Sequence, residues 1–426
     1  MNLTKKELQR GKIAYIAEAG LEYLISILVA GSFLAKLTKE IGFSDSLTGI
    51  LSSIISLGCL FQLGSIFVHP RRSKPFVLAL SVINQLLFLF LYVIPVLPMG
   101  GGAKTAIFVC AILLAYLTYY LAHPKKINWL MSLVGDGERG RFTANKEIVS
   151  LIVGTVFSIS MGAVVDAFFE QGNIRIAFLL SAAVIFVLML AHTASMLLAP
   201  EAQREAQSKS TLRKNLPKLL KNKGYRNTIV LFLFYYVATY ATTPFLGTYK
   251  NEELGLSLTV VFILTNCGSI SRICVSRFWG RYADKNSFLK MLLYCFGFLA
   301  LAFLSSALAM PATGTVAFLL YFLFHGIASG GINSALTNLV FDYTSHEERA
   351  DALAISQAVA GTAGFLTTLA VSPLITLIQE NGNRVLGIPM YAQQLLSLIS
   401  LLVIVGAILY IVRALKKKES GASVDN

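Results

Sequence analysis

Three features of this 426-residue chain predict an all-α membrane protein with twelve transmembrane helices in two six-helix pseudo-symmetric bundles. They are its apolar composition, the length of its apolar runs and the placing of its basic residues. Hydrophobic residues make up 55% of the chain and charged residues only 14%, with a mean hydropathy of +0.68. Soluble domains carry about 25% charged residues, so this chain lacks the polar surface to face water all round. A run of about 20 apolar residues spans the roughly 30 Å hydrocarbon layer, and such runs recur along the sequence. In lipid the backbone must satisfy its own hydrogen bonds, which requires helices or a closed barrel. The alternation of period two that a barrel needs is missing.

In order, the spans are expected near 14–37, 46–68, 76–97, 105–134, 148–169, 175–198, 227–248, 257–279, 288–309, 314–341, 351–378 and 391–413. The first follows Lys5, Lys6, Arg10 and Lys12 but is too long for a signal-peptide core and lacks a convincing cleavage site, so it is expected to stay. The fourth is the longest expectation in the first half and carries His123-Pro124-Lys125-Lys126 within apolar sequence. The six-and-six division falls at the polar stretch Ala199 to Arg226, the one long connection. The expected domains are therefore 1–198, a cytoplasmic basic linker 199–226, and 227–426. The linker is expected to hold a basic amphipathic helix at the membrane surface.

Orientation follows from the basic residues. With both termini cytoplasmic, 27 of the 36 Lys and Arg fall in cytoplasmic segments. Six fall outside (Lys36, Lys39, Lys104, Arg175, Lys250, Arg384), and Lys125, Lys126 and Arg272 fall within spans. This asymmetry obeys the positive-inside rule and places the chain in the cytoplasmic membrane. The net charge of +14 is then a topological signal and a match to anionic lipid, not a nucleic-acid footprint. The five cysteines sit in apolar spans without metal-ligand spacing and read as packing residues. No cofactor or metal is expected, and no P-loop, dinucleotide fingerprint or catalytic triad is present, so the chain does not read as an enzyme.

The halves repeat weakly. Leu133-Val134-Gly135-Asp136 closes span four as Leu339-Val340-Phe341-Asp342 closes span ten, and each precedes an acid–base pair, Glu138-Arg139 and Glu348-Arg349. Gly64 with Arg71-Arg72-Ser73-Lys74 after span two matches Gly280 with Asp284-Lys285 after span eight. Similar offsets at equivalent places suggest tandem six-helix repeats. Twelve spans, the six-and-six split and the basic central loop resemble the major facilitator superfamily. Its loop signature of glycine, acid and bases is matched at Gly280, Asp284, Lys285 and Lys290, with Ser287 in place of its second glycine. In the first half Val68 stands where the acid belongs. The resemblance implies alternating access, a functional monomer, and a cytoplasmic gate. The gate residues would be Gly280, Arg281, Asp284 and Lys285, with Asp136, Arg139, Arg141, Asp342 and Arg349. It also implies that drug efflux is disfavoured, since span five has Gly154 and Gly162 but not the Gly-Pro signature of drug–proton antiporters.

Candidate solute and coupling residues come from helix faces. Thr118, Ala122, Lys125, Trp129, Ser132 and Asp136 share one face of span four, beside a stripe of Tyr119, His123 and Lys126; Asn128 adjoins them. Eleven residues separate Lys125 from Asp136, roughly 16 Å of helix, which sets Lys125 near mid-membrane. A lysine there costs about 2.5–3.5 kcal/mol unless it meets water or a partner. Glu18 and Glu22, four apart on span one, are candidate partners for Lys125 or Lys126 across a cavity. Alternatively the lysines snorkel to the interface, a reading that suits Lys126 better than Lys125. Glu18 has a second reading at the cytoplasmic end of its span.

In the second half, Arg272 lies among Asn266, Ser269, Ser271 and Ser276, as a cavity residue or a structural one. Tyr236, Thr239, Tyr240 and Thr243 form a face suited to a sugar or a small ring-bearing solute. The sequence therefore predicts a secondary transporter of a small polar or anionic solute, of sugar or organic-acid type, with proton exchange between Glu18 or Glu22 and a lysine as its coupling option. The alternatives are proton-coupled efflux of amphipathic compounds and, from another class, a non-transporting membrane receptor.

Overall fold

The structure is a computed structural model, and it describes residues 4–64, 68, 72–134, 139–201, 212–345 and 348–422. Helix α1 (Lys5–Leu28) starts at a capping box. Thr4 Oγ1 accepts from the Glu7 N–H at 3.3 Å, and Glu7 Oε2 accepts from the Thr4 N–H at 2.8 Å. Helix α2 (Gly31–Ile41) follows at a bend of 41°, with Gly31 at φ +54 where a side chain would be strained. The first expected span is thus a broken pair. The second is divided further, into α3 (Asp45–Ser53), a 3₁₀ turn Ile54–Leu57 and α4 (Gly58–Gly64). A side chain at Gly58 would strike the Tyr120 ring, so this division goes with a close approach to span four.

Next come α5 (Ser73–Val93), α6 (Gly101–Met131), α7 (Arg139–Glu170) and α8 (Ile174–Leu198). Helix α6 continues through Pro124, four residues after Tyr120. Among the described residues ten helices are long and apolar enough to cross a membrane, or eleven when α1 and α2 count as one span. Twelve were expected. The difference lies at 46–68, where α3 and α4 are each too short.

Two compact units divide the chain within the expected linker. The first holds Met1–Lys209 together with Ser257–Phe262. In it, α1 packs on α7 and α8, and α5 packs on α6 and α8. A multiply bonded carboxylate outside the site described below is Asp166 of α7. That group accepts from the Leu258 N–H at 3.2 Å, the Thr259 N–H at 2.9 Å, Thr259 Oγ1 at 2.8 Å and Lys36 Nζ at 3.0 Å.

The second unit holds Ser210–Leu256 and Ile263–Asn426. Helix α9 (Leu212–Lys221) is the helix expected in the linker. Then follow α10 (Lys223–Thr242), the single turn α11 (Leu246–Thr248) and a π-helical turn Tyr249–Glu253. The remainder is α12 (Leu258–Lys285), α13 (Phe288–Ala307), α14 (Gly314–Asp342), α15 (Arg349–Glu380), a short hairpin of β1 (Arg384–Val385) and β2 (Ile388–Pro389), and α16 (Ala392–Ala422). Helix α10 packs on α15 and α16, and α13 packs on α14 and α16. Buried hydroxyls tie these helices: Ser400 Oγ donates to the Ala238 carbonyl at 2.6 Å, and Tyr225 OH to that of Ala352 at 2.8 Å. Small residues bring α12 and α14 together, because a Cβ on Gly268 would lie 2.7 Å from the Phe322 carbonyl oxygen.

Gly326→Ala is expected to cost about 1–3 kcal/mol by overpacking against Gly268. Gly297→Ala, with nothing within 4 Å of its new Cβ, is expected to be neutral or stabilising. Melting temperatures in detergent distinguish them, and equal melting of the two variants would refute the close packing. Helix α9 is held by Lys218 to Glu348 Oε1 at 2.6 Å, and Asn222 Nδ2 donates to the Tyr343 carbonyl at 2.8 Å. The Lys218 ammonium, with Ser345, holds the Glu348 carboxyl below the usual carboxylate range. A depressed carboxylate stabilises above its unfolded pKa of about 4.3, and that stability is lost as pH falls through the folded value. The stability gap between wild type and Glu348→Gln should therefore be present at neutral pH and close in acid; a pH-independent gap would contradict the pairing.

Candidate functional site

The site of the first unit forms where α1, α6 and α8 meet. Glu18 and Glu22 stand one turn apart on α1, so both carboxylates project from one side. Lys126 comes from α6 and His192 from α8. Glu18 is 1% exposed, Lys126 3% and His192 0%. Lys126 Nζ donates to Glu18 Oε1 at 2.7 Å and also to Glu22 Oε2. His192 Nε2 lies 3.3 Å from Glu18 Oε1 and 3.8 Å from Glu22 Oε2. Tyr119 OH donates to Glu22 Oε1 at 3.3 Å, and the Lys126 ammonium stands 5.8 Å from the Tyr119 ring centroid. A small crevice beside the cluster is lined by Glu22, Ser81, Asn84, Tyr119, Ala122, His123 and Lys126.

This geometry selects between the two readings of the lysine pair. Lys126 does not snorkel; it is the residue held by both carboxylates. Lys125 is buried beside it at 7% exposure. Glu18 is enclosed and not at an exposed helix end. Trp129 serves the packing of the unit instead: its indole N–H donates to the Pro200 carbonyl at 3.0 Å, and it lies in a core cluster with Leu130, Leu133 and Met196. Asn128 is exposed. His192 was not singled out from sequence, although a histidine inside the apolar run of α8 was the available signal.

Glu18, Glu22 and His192 have the donor set of a metal site, with ligand atoms all within 4.8 Å of one another. The Lys126 ammonium already occupies the centre of that set, and two carboxylates satisfy it. The buried His192 Nδ1 has no hydrogen-bond partner among the described residues, whereas a metal-bound histidine normally fixes its other nitrogen on an acceptor. The arrangement fits an ammonium and protons better than a metal.

In the second unit, Tyr236 and Tyr240 stack at 5.7 Å, and Tyr240 lies against Gly364 of α15. Thr368 Oγ1 donates to the Tyr240 carbonyl at 2.7 Å, so this pair joins α10 to α15. Arg272 is exposed at the middle of α12 and acts electrostatically on Tyr235 and His325. Of the expected gate residues, Gly280, Arg281, Asp284 and Lys285 are exposed at the end of α12. Among the described residues Asp284 forms no ion pair with Arg281 or Lys285 within 4.0 Å. Asp342 is exposed, and the Arg349 guanidinium stands 5.1 Å from the Phe341 ring. Asp136 and the side chains of Arg139 and Arg141 lie outside the described residues.

Comparison with known proteins places this helical membrane protein. The family model of the Major Facilitator Superfamily matches residues 19–368, and the chain belongs to that family. It is thus a membrane transporter and not an enzyme. Its fold is similar to that of the nucleoside transporter NupG, at 17% identity and a TM-score of 0.70, covering 95% of this chain and 98% of that one. It is also similar to a bacterial homologue of the iron transporter ferroportin (13% identity, TM-score 0.71, 97% and 99% covered). A D-xylose–proton symporter is a third (12% identity, TM-score 0.66, 94% and 96% covered). At these identities the likeness concerns the fold alone. No curated protein sequence matches the chain significantly.

Removing Lys126 should leave two buried carboxylates without their cation, at a cost of about 3–5 kcal/mol. Lys126→Met is expected to melt well below wild type, and adding Glu18→Gln and Glu22→Gln should recover most of the loss. A Lys126→Met protein as stable as wild type would sink the assignment.

Proposed function

We propose that this protein is a proton-coupled secondary transporter of a small polar or anionic solute, working by alternating access in the cytoplasmic membrane. The observation that carries the reading is the charge count of the buried cluster. Two carboxylates face one ammonium and one imidazole. With His192 neutral the cluster holds one excess negative charge; with one more proton it is balanced. An uncompensated charge in a low-dielectric interior is costly, so the uptake of a proton changes the energy of this cluster substantially. A membrane protein that need only fold would be served as well by an apolar contact at this place. A narrow crevice lies beside Glu22 and Lys126 at the cluster. The exposed Gly280, Arg281, Asp284 and Lys285 are the cytoplasmic gate in this reading, and a single chain contains all of its parts.

Proteoliposomes containing the full chain test the coupling. A screen of sugars, organic acids and related metabolites, run with and without an imposed proton gradient, should find a solute accumulated only with the gradient. Glu22→Gln is expected to abolish that accumulation while leaving solute counterflow measurable. Undiminished gradient-driven accumulation in Glu22→Gln would remove this cluster from the coupling step.

A further inference from the structure

The second unit carries a charge at membrane depth with no carboxylate paired to it among the described residues. Arg272 stands midway along α12. The exposed apolar residues of this helix, Ile263 (45%), Ile270 (59%), Ile273 (49%) and Phe278 (53%), form one stripe. At about 100° per residue, Arg272 falls on the opposite side of the helix, together with Gly268 and Trp279. Both of those positions face protein. Gly268 is in close contact with Phe322, and the Trp279 indole N–H donates to the Ile327 carbonyl at 2.8 Å. Arg272 therefore points away from the lipid-facing stripe, yet it is exposed. Its side chain is thus exposed on the side of α12 that carries Gly268 and Trp279.

The surroundings of Arg272 are aromatic and, among the described residues, hold no acid. Arg272 acts electrostatically on Tyr235 of α10 and His325 of α14, and the His325 ring stacks on Tyr321 at 5.6 Å and 20°. A Cβ on Gly330 would meet the arginine stem at 3.6 Å, so that glycine helps make room for it. Among the described residues no carboxylate lies within 4.0 Å of the guanidinium. Every acidic residue from 210 onward lies at or beyond the end of a span: Glu252, Glu253, Asp284, Asp342, Glu347, Glu348, Asp351, Glu380, Glu419 and Asp425. The cation at the end of the span that begins with α10, Lys250, is 7% exposed and set over Phe322 at 5.0 Å and Phe318 at 5.8 Å. Rings already mask it. In the first unit Lys126 is neutralised by Glu18 and Glu22. Arg272 is thus the exposed cation on this face of α12.

We propose that Arg272 is the receptor for the negative group of the solute, and that the solute is a small organic monoanion, a carboxylate on a ring-bearing body. The inference rests on the transport reading and deepens it. A guanidinium fork matches a carboxylate in two parallel hydrogen bonds. One exposed cation balances one negative charge, which favours a carboxylate over a doubly charged phosphate monoester. Tyr235 and His325, both half-buried and within electrostatic reach of Arg272, suit a flat, apolar body. The division of roles is then clear: the first unit binds the proton and the second binds the anion. Arg272 is a binding residue whose counter-ion arrives with the solute.

The test is binding of benzoate, benzamide and phenyl phosphate to the purified full chain by calorimetry, in wild type, Arg272→Gln and Arg272→Lys. Benzoate is expected to bind wild type, and benzamide and phenyl phosphate more weakly. Arg272→Gln should weaken benzoate about 10- to 100-fold, the loss of a charge-assisted pair, with partial rescue by Arg272→Lys. The melting temperature of Arg272→Gln should not fall, because the variant removes an uncompensated charge; a large fall with no change in binding would make the residue structural and overturn the proposal. Equal binding of benzoate and benzamide overturns it too, as does preference for phenyl phosphate. If benzoate does not bind, the anion site is refuted; gradient-driven accumulation of another solute would then show that the transport reading survives alone.

Discussion

The cost of holding charge at membrane depth governs the organisation of this protein. An ionised side chain in the hydrocarbon layer must find a partner, water or a ligand. The first unit meets the requirement with Lys126, which bridges Glu18 and Glu22 while His192 closes the cluster from α8. The consequence for packing is direct. Helices α1, α6 and α8 meet at this cluster, and the small crevice beside it leaves one carboxylate partly open. This set of four ionisable groups is a structural joint between the three helices.

The second unit solves its packing without such a joint. Its buried contacts are hydroxyls on carbonyls, such as Ser400 on Ala238, and glycines that admit neighbouring rings and backbone, such as Gly268 and Gly364. Two cations of this unit are placed in contrasting ways. Lys250 is sheltered by Phe318 and Phe322, and Arg272 is left open among aromatic residues. Arg272 shows how exposure must be weighed with direction, since its open side chain lies opposite the apolar stripe of α12.

Much of this was legible beforehand, because hydropathy, basic-residue asymmetry and loop motifs act locally along the chain. Ten of the expected spans correspond to single long helices, and the family follows from the same features. The exceptions are local breaks. Gly31 at φ +54 bends the first span, and the second is divided where Gly58 meets Tyr120. Apolar periodicity is blind to both, since either half of a broken span remains apolar. Within the site, Glu18 and Glu22 were visible as an i, i+4 pair, whereas His192 was hidden as a single residue in an apolar run. The helix wheel grouped Trp129 with Lys125, but the indole instead binds the Pro200 carbonyl.

The sequence by itself determined a helical membrane protein and the residue types able to carry charge in its spans, since each depends on composition and spacing along one helix. Only the tertiary structure decided which lysine Glu18 and Glu22 hold, that His192 completes the cluster, and that Arg272 is exposed opposite the apolar stripe of α12. Those outcomes depend on which faces of separate helices meet. A period of 3.6 residues assigns faces within a helix but cannot say what stands opposite them.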